Sequence, residues 1–124
     1  MVRILLADDN ERMRSTLSEL ISQSDPGWNV CAEVGDGESA WKKAVELKPD
    51  LVILDFRMPI LDGYTAARHI RRELPEVPIL LYTSLESPQL EKVAKQAGID
   101  EVVHKAESHA LLQKIRKLAS GTQN

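Results

Sequence analysis

The sequence predicts an α/β domain in which a doubly wound, five-stranded parallel sheet is flanked by five helices. Short apolar runs, rich in β-branched and large aliphatic residues, alternate five times with stretches of helical period. Such alternation is what a parallel sheet covered on both faces requires. The length, 124 residues, is that of one compact domain, which buries roughly two-thirds of its unfolded surface without disulfides or a structural metal.

The elements follow in order. Val2–Ala7 is the first strand, followed by a helical stripe of Met13, Leu17, Leu20 and Ile21. Val30–Val34 is the second strand, and Asp36 caps the helix whose stripe is Ala40, Trp41, Ala44 and Val45; Pro49 ends it. Leu51–Leu54 is the third strand, with Ala67, Ile70 and Leu74 as the next stripe and Pro75 as its stop. Ile79–Tyr82 is the fourth. Ser87-Pro88 reads as a cap and first-turn pair for the helix carrying Leu90, Val93, Ala94 and Ala97, which Gly98 closes. The short Val102-Val103 is the fifth strand, and Leu111, Ile115 and Leu118 form the last stripe.

Composition orders the strands. The runs beginning at Val2, Leu51 and Ile79 are apolar at nearly every position, as strands buried on both faces are, whereas Asn29–Val34 alternates polar with apolar and the fifth is very short. The last two belong at the edges. With right-handed crossovers this gives the order 2-1-3-4-5, a flavodoxin-like arrangement. The domain spans residues 1–119, and 120–124 read as a flexible tail or the start of a linker.

The 16 Lys and Arg against 19 Asp and Glu give a net charge of −3, with 4% aromatics. That balance argues against direct nucleic-acid binding by this segment, which needs a basic face and stacking rings. No apolar run approaches a membrane span or a signal-peptide core, so the chain reads as cytoplasmic. The single cysteine, Cys31, reads as a small buried hydrophobe in a reducing compartment.

In this fold, ligands bind outside the carboxyl ends of the strands. Those ends carry Asp8 and Asp9, then Asp55, then Thr83 and Ser84, then Lys105. Three carboxylates against one ammonium leave two negative charges, which a hard divalent ion, Mg²⁺ or Mn²⁺, neutralises. Lys105 and Thr83 would supply a charge and a hydroxyl to phosphate oxygens at the same place. Taken singly these residues are ordinary: an Asp after a strand is a common cap, Lys105 a solvated charge, His104 a surface residue. Their conjunction at four strand ends carries the argument.

The pattern resembles the receiver domain of bacterial two-component response regulators, from Val2 to about Ala119. The matching residues are Leu6-Ala7-Asp8-Asp9-Asn10, the block Pro49-Asp50-Leu51-Val52-Ile53-Leu54-Asp55-Phe56-Arg57-Met58-Pro59 followed by Asp62-Gly63, the pair Thr83-Ser84, and Lys105. The resemblance implies that Asp55 is the phosphoacceptor and that Asp8 and Asp9 hold Mg²⁺, Asp9 directly, with the main-chain carbonyl of Arg57 as a further ligand. It implies that Thr83 is the switch hydroxyl and Lys105 the phosphoryl counter-charge. It further implies a sensor histidine kinase or phosphotransfer protein as donor, a downstream output domain or protein, and a phosphorylation-dependent homodimer. The chain would then be a phosphoacceptor signalling domain that assists its own phosphorylation and dephosphorylation.

Two departures from the family stand out. The position three before the Lys, usually Tyr or Phe, is Val102, and the Pro that often follows the Lys is Ala106. They favour, as an alternative, a receiver-like interaction module that works without phosphate. A Mg²⁺-dependent phosphatase of the haloacid-dehalogenase type also uses a strand-end Asp, but it normally has a second Asp where this chain has Arg57. Gly35-Asp36-Gly37-Glu38-Ser39-Ala40 matches a dinucleotide fingerprint, yet it follows an edge strand and would set two carboxylates against a pyrophosphate.

Overall fold

The computed structural model describes residues 1–121. Ten elements alternate along it: β1 (Val2–Ala7), α1 (Glu11–Ser24), β2 (Trp28–Val34), α2 (Gly37–Leu47), β3 (Leu51–Leu54), α3 (Gly63–Glu73), β4 (Ile79–Thr83), α4 (Leu90–Gln96), β5 (Glu101–His104) and α5 (Ser108–Gly121). The sheet order is β2-β1-β3-β4-β5, every pairing parallel. The doubly wound flavodoxin-like order is thus as the apolar runs imply, with β2 and β5 at the edges.

Alternation along the inner strands divides the core in two. Leu5 and Ala7, Val52 and Leu54, and Ile79 and Leu81 face α2, α3 and α4, where the helices answer with Ala40, Ala44, Ala66, Ala67, Ile70 and Ala94. Ile4 and Leu6, Leu51 and Ile53, and Leu80 and Tyr82 face α1 and α5, where Leu17, Ile21, Leu111 and Ile115 meet them. Side chains along β1, β3 and β4 are thereby buried on both sides of the sheet.

Caps and stops act as their chemistry requires. Asn10, Asp36 and Asp62 each accept a backbone N–H from the first turn of α1, α2 and α3, at 3.0, 2.7 and 2.7 Å. Gly98 leaves α4 with φ +85°, and a side chain there would run into Arg71.

Three expectations change in the structure. The Ser87-Pro88 pair does not start α4: the helix begins at Leu90 with Gln89 as its uncapped N-cap. Leu90 N–H bonds to the Ser87 carbonyl at 3.1 Å, an i→i+3 closure that turns the pair into a separate tight turn. Cys31 is half-buried rather than buried. Ile4 pairs with Val30 and Leu5 with Ala32, so Cys31 is the extra residue of a bulge in an edge strand and has no register partner in β1. Thr83 is the last residue of β4 instead of the first beyond it. At the carboxyl end, Ser120 and Gly121 continue α5, and the rest of the expected tail, 122–124, lies outside the described residues.

Candidate functional site

The sheet carries its hydrogen-bond ladder up to the residues singled out in the sequence. Asp8 N–H donates to the Val34 carbonyl at 3.0 Å, Asp55 N–H to the Ala7 carbonyl at 3.0 Å, and Lys105 N–H to the Thr83 carbonyl at 2.8 Å. These side chains therefore leave rigid strand ends instead of free loops. Neither Asp8 nor Asp9 caps α1, since Asn10 does so.

The structure brings Asp8, Asp9 and Asp55 together, with a carboxylate oxygen of each within 4.8 Å of the others. Asp8 and Asp55 are buried and Asp9 is exposed. The Lys105 ammonium donates to Asp8 Oδ2 and to Asp55 Oδ2, both at 3.0 Å. The other oxygen of Asp8 accepts the Asn10 N–H at 2.9 Å. One ammonium against three carboxylates leaves two negative charges in a cleft with partly dry walls.

Burial pushes the Asp55 carboxyl above its ordinary value; the hydrogen bond and charge of Lys105 oppose this, and the charges of Asp8 and Asp9 reinforce it. Burial works to lower the Lys105 pKa, yet its hydrogen bonds to Asp55 and Asp8 prevail and raise it, so the ammonium stays charged. The donor set is all oxygen and carries an uncompensated charge of two, which fits a hard divalent cation.

Thr83 is buried, and its Oγ1 accepts the Leu85 N–H at 3.1 Å, so its own O–H remains to be donated. Arg57 lies two residues past Asp55 and is exposed. Gly63, at the start of α3, lies against the Asp55 carbonyl, where any Cβ would collide. That close approach fixes how tightly the loop after β3 folds back.

Two supporting residues escaped sequence reasoning. Arg14 on α1 donates from Nη1 to the Asp8 carbonyl at 2.7 Å, with Glu33 Oε1 3.8 Å from its Nε. Tyr82, buried in β4, donates its hydroxyl to the Lys105 carbonyl at 3.1 Å, and burial pushes its phenol pKa up. A phenol in an otherwise apolar strand was the available signal, because a buried hydroxyl must find an acceptor. Arg14 gave none, since its partner is a main-chain carbonyl.

The glycines of the dinucleotide-like stretch serve packing. Gly37 lies against the Leu61 carbonyl, and the Asp36 carboxylate occupies the Ser39 N–H at the start of α2, an amide that a pyrophosphate there would need. Among the described residues no helix is long and apolar enough to cross a membrane.

Comparison with known proteins places these observations in a family. Residues 4–116 match the response regulator receiver domain. A protein-glutamate methylesterase/protein-glutamine glutaminase of Pseudomonas syringae pv. syringae is 39% identical over 84 residues, 68% of this chain and 21% of that protein. The response regulator protein VraR of Staphylococcus aureus is 34% identical over 122 residues, 97% of this chain and 57% of that protein. The chain thus spans less than two-thirds of the length of either relative. A crystal structure of a LuxR-family two-component response regulator from an Aurantimonas sp. superposes with a TM-score of 0.92 at 32% identity, covering 98% of this chain and 86% of that one.

Proposed function

The chain belongs to the response regulator receiver family, and on that premise we propose that Asp55 is its phosphoacceptor, served by Asp8, Asp9, Thr83 and Lys105. A receiver domain of this family is a phosphorylation-dependent signalling switch, and the proposal concerns which atoms of this chain do the switching. The observation that supports it best is the single ammonium shared by two buried carboxylates, with a third carboxylate beside them.

Asp8, Asp9 and Asp55, with the main-chain carbonyl of Arg57, would hold Mg²⁺. Bound there, the ion would neutralise the oxygens of a transferring phosphoryl group. Asp55 supplies the nucleophile. Its carboxylate oxygen forms the bond to phosphorus as the bond from phosphorus to the donor's histidine nitrogen breaks, and the leaving imidazole keeps the electron pair. Lys105, already on Asp55 Oδ2, passes a hydrogen bond to a phosphoryl oxygen without moving far. Thr83 donates to another its O–H, which the bond it accepts from the Leu85 N–H leaves free. The product adds about one negative charge at the sheet edge, enough to reorder the adjoining loops.

The donor is read as a sensor histidine kinase or a phosphotransfer protein, and the signal passes to an output domain or protein. The receiver unit is read as residues 1–119. The esterase activity in the name of the Pseudomonas relative is assigned to the parts of that protein which this chain does not span. The chain itself is a signalling domain that assists its own phosphorylation and dephosphorylation. Val102 and Ala106 do not favour a phosphate-independent module, because the Asp55–Lys105 pair at 3.0 Å forms with both departures present. Incubation with acetyl phosphate and Mg²⁺, read by intact-protein mass spectrometry, tests the proposal. One phosphoryl increment that disappears when EDTA is added is expected, and an unmodified mass would contradict it.

A further inference from the structure

His104, the last residue of β5, uses both ring nitrogens. The Ala106 N–H lies 3.2 Å from Nδ1, and a backbone amide can only donate, so Nδ1 is the unprotonated nitrogen. The proton is therefore on Nε2, which points to the Ser84 carbonyl at 3.2 Å, with Glu86 Oε1 3.4 Å away. Partners on both sides fix one tautomer and one ring orientation. The two contacts join different loops. Ser84 opens the loop after β4 and directly follows Thr83; Ala106 opens the turn into α5 and directly follows Lys105.

We propose that His104 is a positioning residue that couples these two loops, so that a displacement of Thr83 is passed through Ser84 and the imidazole to Ala106 and the start of α5. The last ladder bond between the strands, Lys105 N–H to the Thr83 carbonyl at 2.8 Å, ends at the strand tips. Beyond it the imidazole bridges the chains. Thr83 Oγ1 can keep the Leu85 N–H while its own O–H turns to a phosphoryl oxygen, so the loop that Ser84 begins is drawn along with it. A ring held at both nitrogens carries that movement across instead of letting it dissipate in the loop. The coupling rests on the reading of Thr83 as the moving hydroxyl, whereas the resting link itself does not.

Hydrogen exchange tests both parts. In the free protein, His104→Leu removes the acceptor of the Ala106 amide, which should exchange on the order of tenfold faster, as for loss of one ordinary hydrogen bond. His104→Asn can still accept from Ala106 through a short Asx-type contact but cannot reach Ser84. It should restore protection at Ala106 and leave Ser84–Leu90 loosened. With beryllofluoride and Mg²⁺, the wild type should change protection in both Ser84–Leu90 and Ala106–Ala110. Both variants should respond in the first segment and lose the response in the second, which a purely structural role would not produce. Wild-type exchange at Ala106 in free His104→Leu, or an undiminished response of Ala106–Ala110 in both variants, would overturn the proposal. A wild type indifferent to beryllofluoride would sink the reading of the site, and the free-protein comparison would still decide the link.

Discussion

The Lys105 ammonium stands 3.0 Å from Asp8 Oδ2 and 3.0 Å from Asp55 Oδ2, so one cation serves carboxylates from two neighbouring strands. It is itself largely covered, with 16% of its side chain exposed. Lys105→Met would leave both buried carboxylates without a cation, at a cost of about 1–3 kcal/mol. Urea unfolding should show that loss, and Mg²⁺ should recover more stability in the variant than in the wild type, because three negative charges then await it in place of two. Equal stability of the two proteins without Mg²⁺ would mean that desolvation of the ammonium cancels its attraction.

Asp9 is the exposed member of the acidic trio and has no ammonium of its own in the site. Millimolar Mg²⁺ should raise the melting temperature of the wild type by mass action. Asp9→Ala should lose most of that increment while the metal-free protein melts no lower, since one source of repulsion is gone. If Mg²⁺ shifts both melting curves alike, the carboxylates are not its site.

Ile60 has φ +71°, and Leu61 N–H closes onto the Pro59 carbonyl at 2.8 Å, a three-residue turn that strains a β-branched side chain. The residue is 70% exposed, so little packing offsets the strain. Ile60→Asn should therefore stabilise the domain by about 1 kcal/mol. A melting temperature below that of the wild type would show that Ile60 makes contacts worth more than its backbone costs.

Glu101 begins β5 and bonds to Lys117 at 2.8 Å and to Lys114 at 2.9 Å, which hold its carboxyl below the ordinary 4.5. A lowered folded pKa means that the native state sheds the proton more readily than the unfolded chain. The stabilisation is thus complete above about pH 4.5 and fades as the pH falls through the folded value. Both lysines are partly solvated, so the effect is about 0.5–1 kcal/mol. Stability measured against pH should fall less steeply on the acid side in Glu101→Gln than in the wild type; parallel curves would remove Glu101 from the acid limb.

Period and punctuation made the sheet legible because the inner strands are buried on both faces and each helix needs one apolar stripe. Asp8, Asp9, Asp55, Thr83 and Lys105 could be placed together because parallel strands in this order must end at one edge. What stayed hidden depends on contacts that sequence spacing does not encode. The bulge at Cys31 is set by register against β1, and the late start of α4 by the turn that the Leu90 N–H closes onto the Ser87 carbonyl. Arg14 and His104 act on main-chain groups outside their own elements, and such acceptors exist at every residue.

The central claim is that Asp55 carries the phosphoryl group, and borohydride trapping addresses it most directly. The protein is incubated with acetyl phosphate and Mg²⁺, reduced with borohydride so that an acyl phosphate becomes an alcohol, and mapped by peptide mass spectrometry beside Asp55→Asn. Homoserine at position 55 in the wild type, and none anywhere in the variant, is the expected result. Reduction at Asp8 or Asp9, or equal phosphoryl incorporation by Asp55→Asn, would contradict the assignment.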